Sequence, residues 1–260
     1  MTTLPSLVPY YENGSVAIYH GDSREILPQL RGDLVITSPP YNLNLRINTK
    51  RQFVSRQCIP TEFSSKYNGY DDDLQPSEYL GLLDSVLSSS LAVCKRACFN
   101  LQITTGSKWA VASLLGLHAD QFKELVAWDK GHGQPAMKER TLNSALELVL
   151  IFDAEDPRTR QFPSTSFGRG TRSNIWRLGR DRPVRGHKAT FPRALVEHCL
   201  GMYWDAQTII DPFMGTGSTL TTAMELGRKG IGIESNEAYC EIAAQRCEAL
   251  VPAALAKGKP

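Results

Sequence analysis

Two short stretches carry residue types that could do chemistry together. The first is Thr37-Ser-Pro-Pro-Tyr-Asn42, directly after the apolar run Leu34-Val-Ile. Pro39 and Pro40 stiffen this turn and remove its N–H donors. What remains are acceptors, the Ser38 hydroxyl and the Pro39 carbonyl. An aromatic exocyclic amine is a poor nucleophile because its lone pair is delocalised into the ring. Two acceptors can hold its hydrogens and turn the lone pair toward an electrophile, while oriented dipoles stabilise the positive charge that develops on nitrogen. Tyr41 adds a face on which an extruded base could stack. Pro-Pro-Tyr by itself is also an ordinary turn, so its meaning depends on a partner site.

The partner is Ile209-Ile-Asp-Pro-Phe-Met-Gly-Thr-Gly-Ser218, a strand running into a glycine-rich turn and then a helix. Gly215 and Gly217 allow positive φ and close approach of the backbone to a ligand. Farther on, Glu234 ends the next strand, where it can accept hydrogen bonds from ribose hydroxyls. A nicotinamide site competes with this reading. Against it, Leu220 stands where the third glycine of G-x-G-x-x-G would be, and the Asp211 carboxylate would repel a pyrophosphate. Asp211 suits the ammonium group of S-adenosylmethionine, and Phe213 can lie against its cationic methionine portion.

Asp211-Pro-Phe-Met-Gly-Thr-Gly-Ser218 resembles motif I of the amino-methylating DNA methyltransferases, and Ser38-Pro-Pro-Tyr41 resembles motif IV. The resemblance implies that Asp211, Pro212, Phe213, Gly215, Gly217, Ser218 and the ribose-binding Glu234 hold S-adenosylmethionine. It implies that Ser38 and the carbonyl of Pro39, stiffened by Pro40, bind the target amino group while Tyr41 stacks the flipped base. Gly186-His-Lys-Ala-Thr-Phe-Pro192 is similar to motif X, which adds His187 and Phe191 at the methionine end of the cofactor. Gly21-Asp22 is similar to the acidic strand end that meets the adenine. The catalytic turn precedes the cofactor loop, as in the permuted β group of the family. Members with this order place target recognition before motif X. Here that is Asp153–Gly186, an irregular arginine-rich stretch in which Arg169, Arg172 and Arg177 are candidate contacts to double-stranded DNA.

The elements that must position these residues alternate. Strands are expected at Val16–Tyr19, Leu34–Thr37, Ala97–Ile103, Glu124–Trp128, Leu146–Phe152, Thr208–Asp211 and Gly230–Ile233. Helices are expected at Ser23–Leu30, from Pro76, and at Lys108–Leu117, Pro192–Met202, Thr219–Leu226 and Ala238–Leu250. The fold class is therefore α/β, a doubly wound and mainly parallel sheet. It divides into a catalytic part (1–152) with a patternless insertion at 42–73, the recognition segment (153–186), and a cofactor-binding part (187–260) of the same domain.

Composition narrows the rest. The 260 residues carry a net charge of +2, so bulk charge does not argue for nucleic acid. None of the six cysteines forms a C-x-x-C pair or directly follows a proline. Zinc is not expected, nor is the Pro-Cys nucleophile of carbon-5 cytosine methylation; reduced, buried thiols are. No run of about 18 apolar residues suggests a membrane span. Met1-Thr-Thr-Leu-Pro lacks a signal-peptide pattern, so a cytoplasmic location is expected. A homodimer is compatible with the sequence. Ser38 at the head of the turn, and a motif X of the form H-x-A-x-F-P, favour N4-cytosine over N6-adenine as the target. A DNA-binding protein without transferase activity remains a distinct reading.

Overall fold

The architecture is that of a computed structural model, which describes residues 7–42, 74–134, 140, 142–179 and 191–251. Residues 43–73 of the insertion expected at 42–73, and His187, lie outside the described residues.

Among the described residues, nine strands form one sheet in the order β1-β2-β9-β8-β3-β4-β6-β5-β7. They are β1 (Tyr11–Glu12), β2 (Val16–His20), β3 (Leu34–Thr37), β4 (Arg96–Leu101), β5 (Phe122–Gln134), β6 (Ser144–Asp153), β7 (Ile175–Arg177), β8 (Thr208–Asp211) and β9 (Lys229–Glu234). β1 pairs antiparallel with β2, and β6 pairs antiparallel with both β4 and β5. The other pairings are parallel. All described strands except β1 and β6 therefore end on the same edge of the sheet.

The helices are α1 (Ser23–Ile26), α2 (Pro76–Cys94), α3 (Lys108–Leu117), α4 (Arg193–Met202), α5 (Ser218–Glu225) and α6 (Glu237–Glu248). They cover both faces. Side chains alternate along a strand, and β3 and β4 show the consequence. Val35, Ala97 and Phe99 pack with Leu83, Leu87, Val111 and Leu114 of α2 and α3. Leu34, Ile36 and Cys98 pack on the opposite face with Leu195, Cys199 and Leu200 of α4. A third cluster joins Val16 and Ile18 to Leu220 of α5 and to Cys240, Ala243 and Cys247 of α6. The described cysteines are all buried, as expected of reduced thiols.

Leu220 explains why the third glycine of the turn motif is dispensable. A Cβ added to Gly230 of β9 would sit 3.2 Å from Leu220. The strand, not the helix, supplies the small residue that lets α5 approach the sheet.

Three expectations need correction. The helix from Ser23 stops at Ile26 and continues only as a 3₁₀ turn, Leu27–Gln29, because Pro28 has no N–H to extend it. β1 is an added edge strand of two residues. The stretch after Asp153 is not wholly irregular, since β7 adds to the sheet beside β5.

Candidate active site at the strand ends

The edge where the parallel strands end carries the residues singled out by sequence. Thr37 closes β3, Asp211 closes β8 and Glu234 closes β9. β3 and β8 are neighbours, which brings the Pro-Pro turn and the glycine turn together although Thr37 and Asp211 are 174 residues apart in the chain.

The joint between them is Asp211. Thr37 Oγ1 donates to its Oδ1 at 2.7 Å, Thr219 Oγ1 donates to its Oδ2 at 2.6 Å, and the Phe213 N–H donates to Oδ1 at 3.1 Å. Pro212, lacking an N–H, leaves that last bond to Phe213. Burial pushes the Asp211 carboxyl up to about 6, against the downward pull of these three hydrogen bonds. Within the protein this carboxyl locks Thr37, the residue before Ser38, to the glycine turn.

Glu234 is held mainly by backbone groups, with the Ser235 hydroxyl as a longer contact 3.5 Å from its Oε1. The Gly215 N–H donates to its Oε2 and the Asn236 N–H to its Oε1, both at 2.9 Å. Burial pushes this carboxyl up as well. A carboxylate offers about four lone-pair sites, so acceptor capacity is left for a diol. Gly215 at φ 54° and Gly217 at φ 81° have the left-handed backbone that glycine permits. A Cβ on Gly217 would also stand 2.8 Å from Ala243 of α6.

The other cofactor candidates are spread out. Asp22 accepts from the Arg24 N–H at 2.8 Å as the cap of α1, and the Arg24 guanidinium holds its carboxyl below the usual range. Phe213 packs partly against the α2–α3 cluster, and Phe191 against the α4 cluster. Ser218 opens α5 and lines a hollow with Arg193, Thr222, Glu225 and Arg246, none of them in the strand-end row.

Ser38 and Tyr41 meet a polar group that sequence reasoning missed. The Tyr41 hydroxyl lies 2.8 Å from Ser38 Oγ and donates to Glu147 Oε2 at 2.7 Å. Asn100 Nδ2 donates to the Tyr41 hydroxyl at 2.6 Å and to Glu147 Oε2 at 2.7 Å. Lys130 Nζ donates to Glu147 Oε1 at 2.9 Å, with both side chains nearly buried. Asn100 Oδ1 is buried with no partner among the described residues. The available signal was polarity: Asn100 and Glu147 interrupt apolar strands, and a buried polar residue is the informative kind.

The turn is also braced from outside. The Pro40 carbonyl accepts from the Tyr79 hydroxyl at 2.7 Å. Asn42 Nδ2 donates to the Leu74 carbonyl at 2.9 Å, and the Leu74 N–H donates to Asn42 Oδ1 at 2.8 Å. These bonds tie together the two residues that flank the insertion at 43–73. A Cβ on Gly106 would overlap the Asn42 carbonyl oxygen.

The three arginines divide between the two edges. β6 runs against its neighbours, so it delivers the chain at Asp153 beside Arg96, where β4 begins. Residues 154–174 follow along that edge: the Ser166 N–H donates to the Gly201 carbonyl near the end of α4. Exposed Arg169 and Arg172 belong to this stretch, and the Arg172 guanidinium rests 5.1 Å from the Phe167 ring centroid. They stand at the edge opposite Ser38. Arg177 closes β7 beside Asp129 of β5, on the catalytic edge, with its side chain 78% exposed.

S-adenosylmethionine presents a ribose diol, an ammonium and a sulfonium. Glu234, with spare acceptor capacity beside an open-backbone glycine turn, fits the diol. Asp211 lies nearly buried with three of its about four lone-pair sites filled by the protein.

A family model described as DNA methylase matches residues 32–245. The Type II methyltransferase M.ScaI of Streptomyces caespitosus is 27% identical, over 93% of this chain and 84% of its own length. The Type II methyltransferase M2.LlaDCHI of Lactococcus lactis subsp. cremoris is 25% identical, over 92% and 91%. Among solved structures, the PvuII DNA methyltransferase, cytosine-N4-specific, superposes with a TM-score of 0.69 at 19% identity, covering 92% of this chain and 88% of that one. The M1.HpyAVI–SAM complex gives a TM-score of 0.57 at 19% identity, covering 89% of this chain and 99% of that one. With the match extending across both the Pro-Pro turn and the glycine turn, the chain belongs to the N6/N4 DNA methylase family.

Proposed function

We propose that this DNA methylase transfers a methyl group from S-adenosylmethionine to the exocyclic N4 of a cytosine flipped out of double-stranded DNA. The observation that carries the reading is the Thr37–Asp211 hydrogen bond, which fixes the amine-binding turn against the glycine turn. Glu234 and the backbone at Gly215 and Gly217 would hold the cofactor, with Asp22, Phe213, Phe191 and His187 as further candidates. When bound, the cofactor supplies an electrophilic methyl group on a sulfonium.

The chain's own groups do the rest. Ser38 Oγ and the Pro39 carbonyl accept the two amine hydrogens and aim the nitrogen lone pair. The Tyr41 ring stacks the base, an interaction worth about 1–3 kcal/mol. The amine proton is released after transfer, because a methylated exocyclic nitrogen that keeps both hydrogens is cationic and acidic.

Two features support cytosine over adenine: Ser38 at the head of the turn, and Phe191 where adenine enzymes of the family more often carry lysine. The PvuII neighbour, cytosine-N4-specific by its name, agrees. Recognition is assigned to the residues that continue from Arg177 toward motif X, and not to the stretch at 154–174. The relatives being Type II methyltransferases, a place in a restriction–modification pair is part of the same proposal.

Methylating DNA with labelled cofactor, digesting it to nucleosides and identifying the product by mass spectrometry tests the proposal. N4-methylcytosine is the expected product. Label on adenine alone would transfer the specificity to N6-adenine and leave the class intact. Cofactor binding without label in any base would remove the transferase reading.

A further inference from the structure

We propose that Glu147, held by Lys130, sets the hydrogen-bond polarity of the catalytic turn, so that Ser38 meets the target amine as an acceptor and never as a donor. The inference rests on the proposed amine-binding role of Ser38 and deepens it.

The argument is a count of hydrogens. Lys130 Nζ has only donors and faces Glu147 Oε1 at 2.9 Å. The Glu147 carboxylate has only acceptors. The Tyr41 hydroxyl has one hydrogen, and at 2.7 Å from Glu147 Oε2 that hydrogen is committed. Tyr41 can then only accept from any other neighbour. Asn100 Nδ2, which cannot do otherwise, is one at 2.6 Å. Ser38 Oγ is another at 2.8 Å. Ser38 must therefore spend its single hydrogen on Tyr41; Asn100 Nδ2 also approaches Ser38 Oγ as a donor at 3.5 Å, so Ser38 has a lone pair and no hydrogen to offer the amine.

This matters because a serine hydroxyl is ambiguous by nature. If its hydrogen pointed at the amine, it would donate to the nitrogen lone pair, the electrons that must attack the methyl group. The relay Lys130–Glu147–Tyr41–Ser38 removes that ambiguity before the base arrives, which is preorganisation in the ordinary sense. Burial makes the arrangement rigid, since Asn100 is 1% exposed and Glu147 7%. Tyr41 has two separable tasks: its ring for the base, its hydroxyl for the polarity. Glu147 and Lys130 touch neither base nor cofactor in this scheme and are positioning residues.

Tyr41→Phe keeps the ring and removes the hydroxyl. Glu147→Gln keeps the shape, and its amide oxygen is drawn to Lys130, which turns the NH₂ toward Tyr41 and frees the tyrosine hydrogen to point at Ser38. Each variant should lose about tenfold or more in kcat. The KM for DNA, the affinity for S-adenosylhomocysteine and the extrusion signal of a fluorescent base analogue should stay near wild type. The double variant should be no worse than Tyr41→Phe alone, because Glu147 acts only through that hydroxyl. Independent losses that multiply would overturn the relay, as would wild-type kcat in Tyr41→Phe. Should Glu147→Gln fail to fold by thermal melting, the Tyr41→Phe result alone decides. Wild-type enzyme that methylates no DNA would defeat the proposed function instead, which keeps the two failures apart.

Discussion

The glycine-turn side and the Pro-Pro-turn side of the strand-end row hold their polar groups by different means. On the glycine-turn side, Glu234 rests on backbone N–H groups of Gly215 and Asn236, and Asp211 on the hydroxyls of Thr37 and Thr219 and on the Phe213 N–H. Apart from Thr37, these partners stand within about 20 residues of the carboxylate they serve. On the Pro-Pro side, Ser38 and Tyr41 depend on Asn100, Glu147 and Lys130, contributed by β4, β6 and β5. A turn fixed by its own backbone can be written as a short motif. A polar group assembled from four strands exists only once the sheet has formed, and it fails as a unit when any strand end shifts.

Gly106 tests the Pro-Pro side with the largest expected effect. The β4–α3 loop touches Asn42 so closely that a Cβ on Gly106 would overlap the Asn42 carbonyl oxygen, a backbone atom with no room to yield. Gly106→Ala should displace the end of the turn, and a displacement near 1 Å costs on the order of a hundredfold in rate. Affinity for S-adenosylhomocysteine should be retained, because nothing on the glycine-turn side is touched. Activity within twofold of wild type, or a matching loss of cofactor affinity, would erase the distinction between the two sides.

The second test separates the carboxylates. Asp211→Ala strands two buried hydroxyls and an N–H, at roughly 1–3 kcal/mol for each group that water cannot reach. Glu234→Ala exposes two backbone donors at a half-buried edge, where water can replace them. Asp211→Ala should therefore melt well below Glu234→Ala, while Glu234→Ala should lose S-adenosylhomocysteine affinity with little loss of stability. A pH series sharpens the contrast. The folded Asp211 carboxyl lies near 6, above its ordinary 3.8, so the folded chain binds the extra proton between those values. Its contribution to stability is present below about 4 and lost as pH rises through about 6. Asp211→Asn should remove that part of the pH dependence. Equal melting of the two alanine variants, with identical pH profiles for wild type and Asp211→Asn, would show that the carboxylates play the same part.

Legibility in the sequence follows the same division. β3, α3 and β8 were read to the residue because apolar runs bounded by proline, glycine or a charged residue have sharp ends. Asp211 and Glu234 stood out because strand, turn and helix follow each other without interruption. Glu147 did not, being 106 residues from the Tyr41 hydroxyl it accepts from. Nor could the destination of Asp211 be read. A carboxylate at a strand end is equally suited to a ligand or to a neighbouring strand, and only the β3–β8 pairing decides that Thr37 reaches it first. Two to three residues are too few to show a period, so β1 and β7 were invisible.

That last omission bears on the smallest predicted effect. Read as one irregular segment, the stretch after Asp153 made Arg169, Arg172 and Arg177 equivalent. β6 carries the chain to the edge away from Ser38, and β7 brings it back, so Arg177 ends at the edge opposite to the one that holds Arg172. Arg177 stands at the end of β7 on the catalytic edge, the edge on which the proposed function needs the duplex. Its guanidinium is 3.6 Å from Asp129, an exposed pair that contributes little to stability, and it can turn to a phosphate at small cost. Arg172 packs on Phe167 beside Gly201, on the far edge. Each phosphate contact adds about one unit to the slope of log affinity against log salt. Arg177→Ala should flatten the slope of DNA binding by about one, while Arg169→Ala and Arg172→Ala together leave it unchanged. A flattened slope in the double variant, with none in Arg177→Ala, would put the duplex on the opposite edge from Ser38. No base extruded there could reach the turn, so that outcome would break the assignment of the Pro-Pro side as the face that meets DNA.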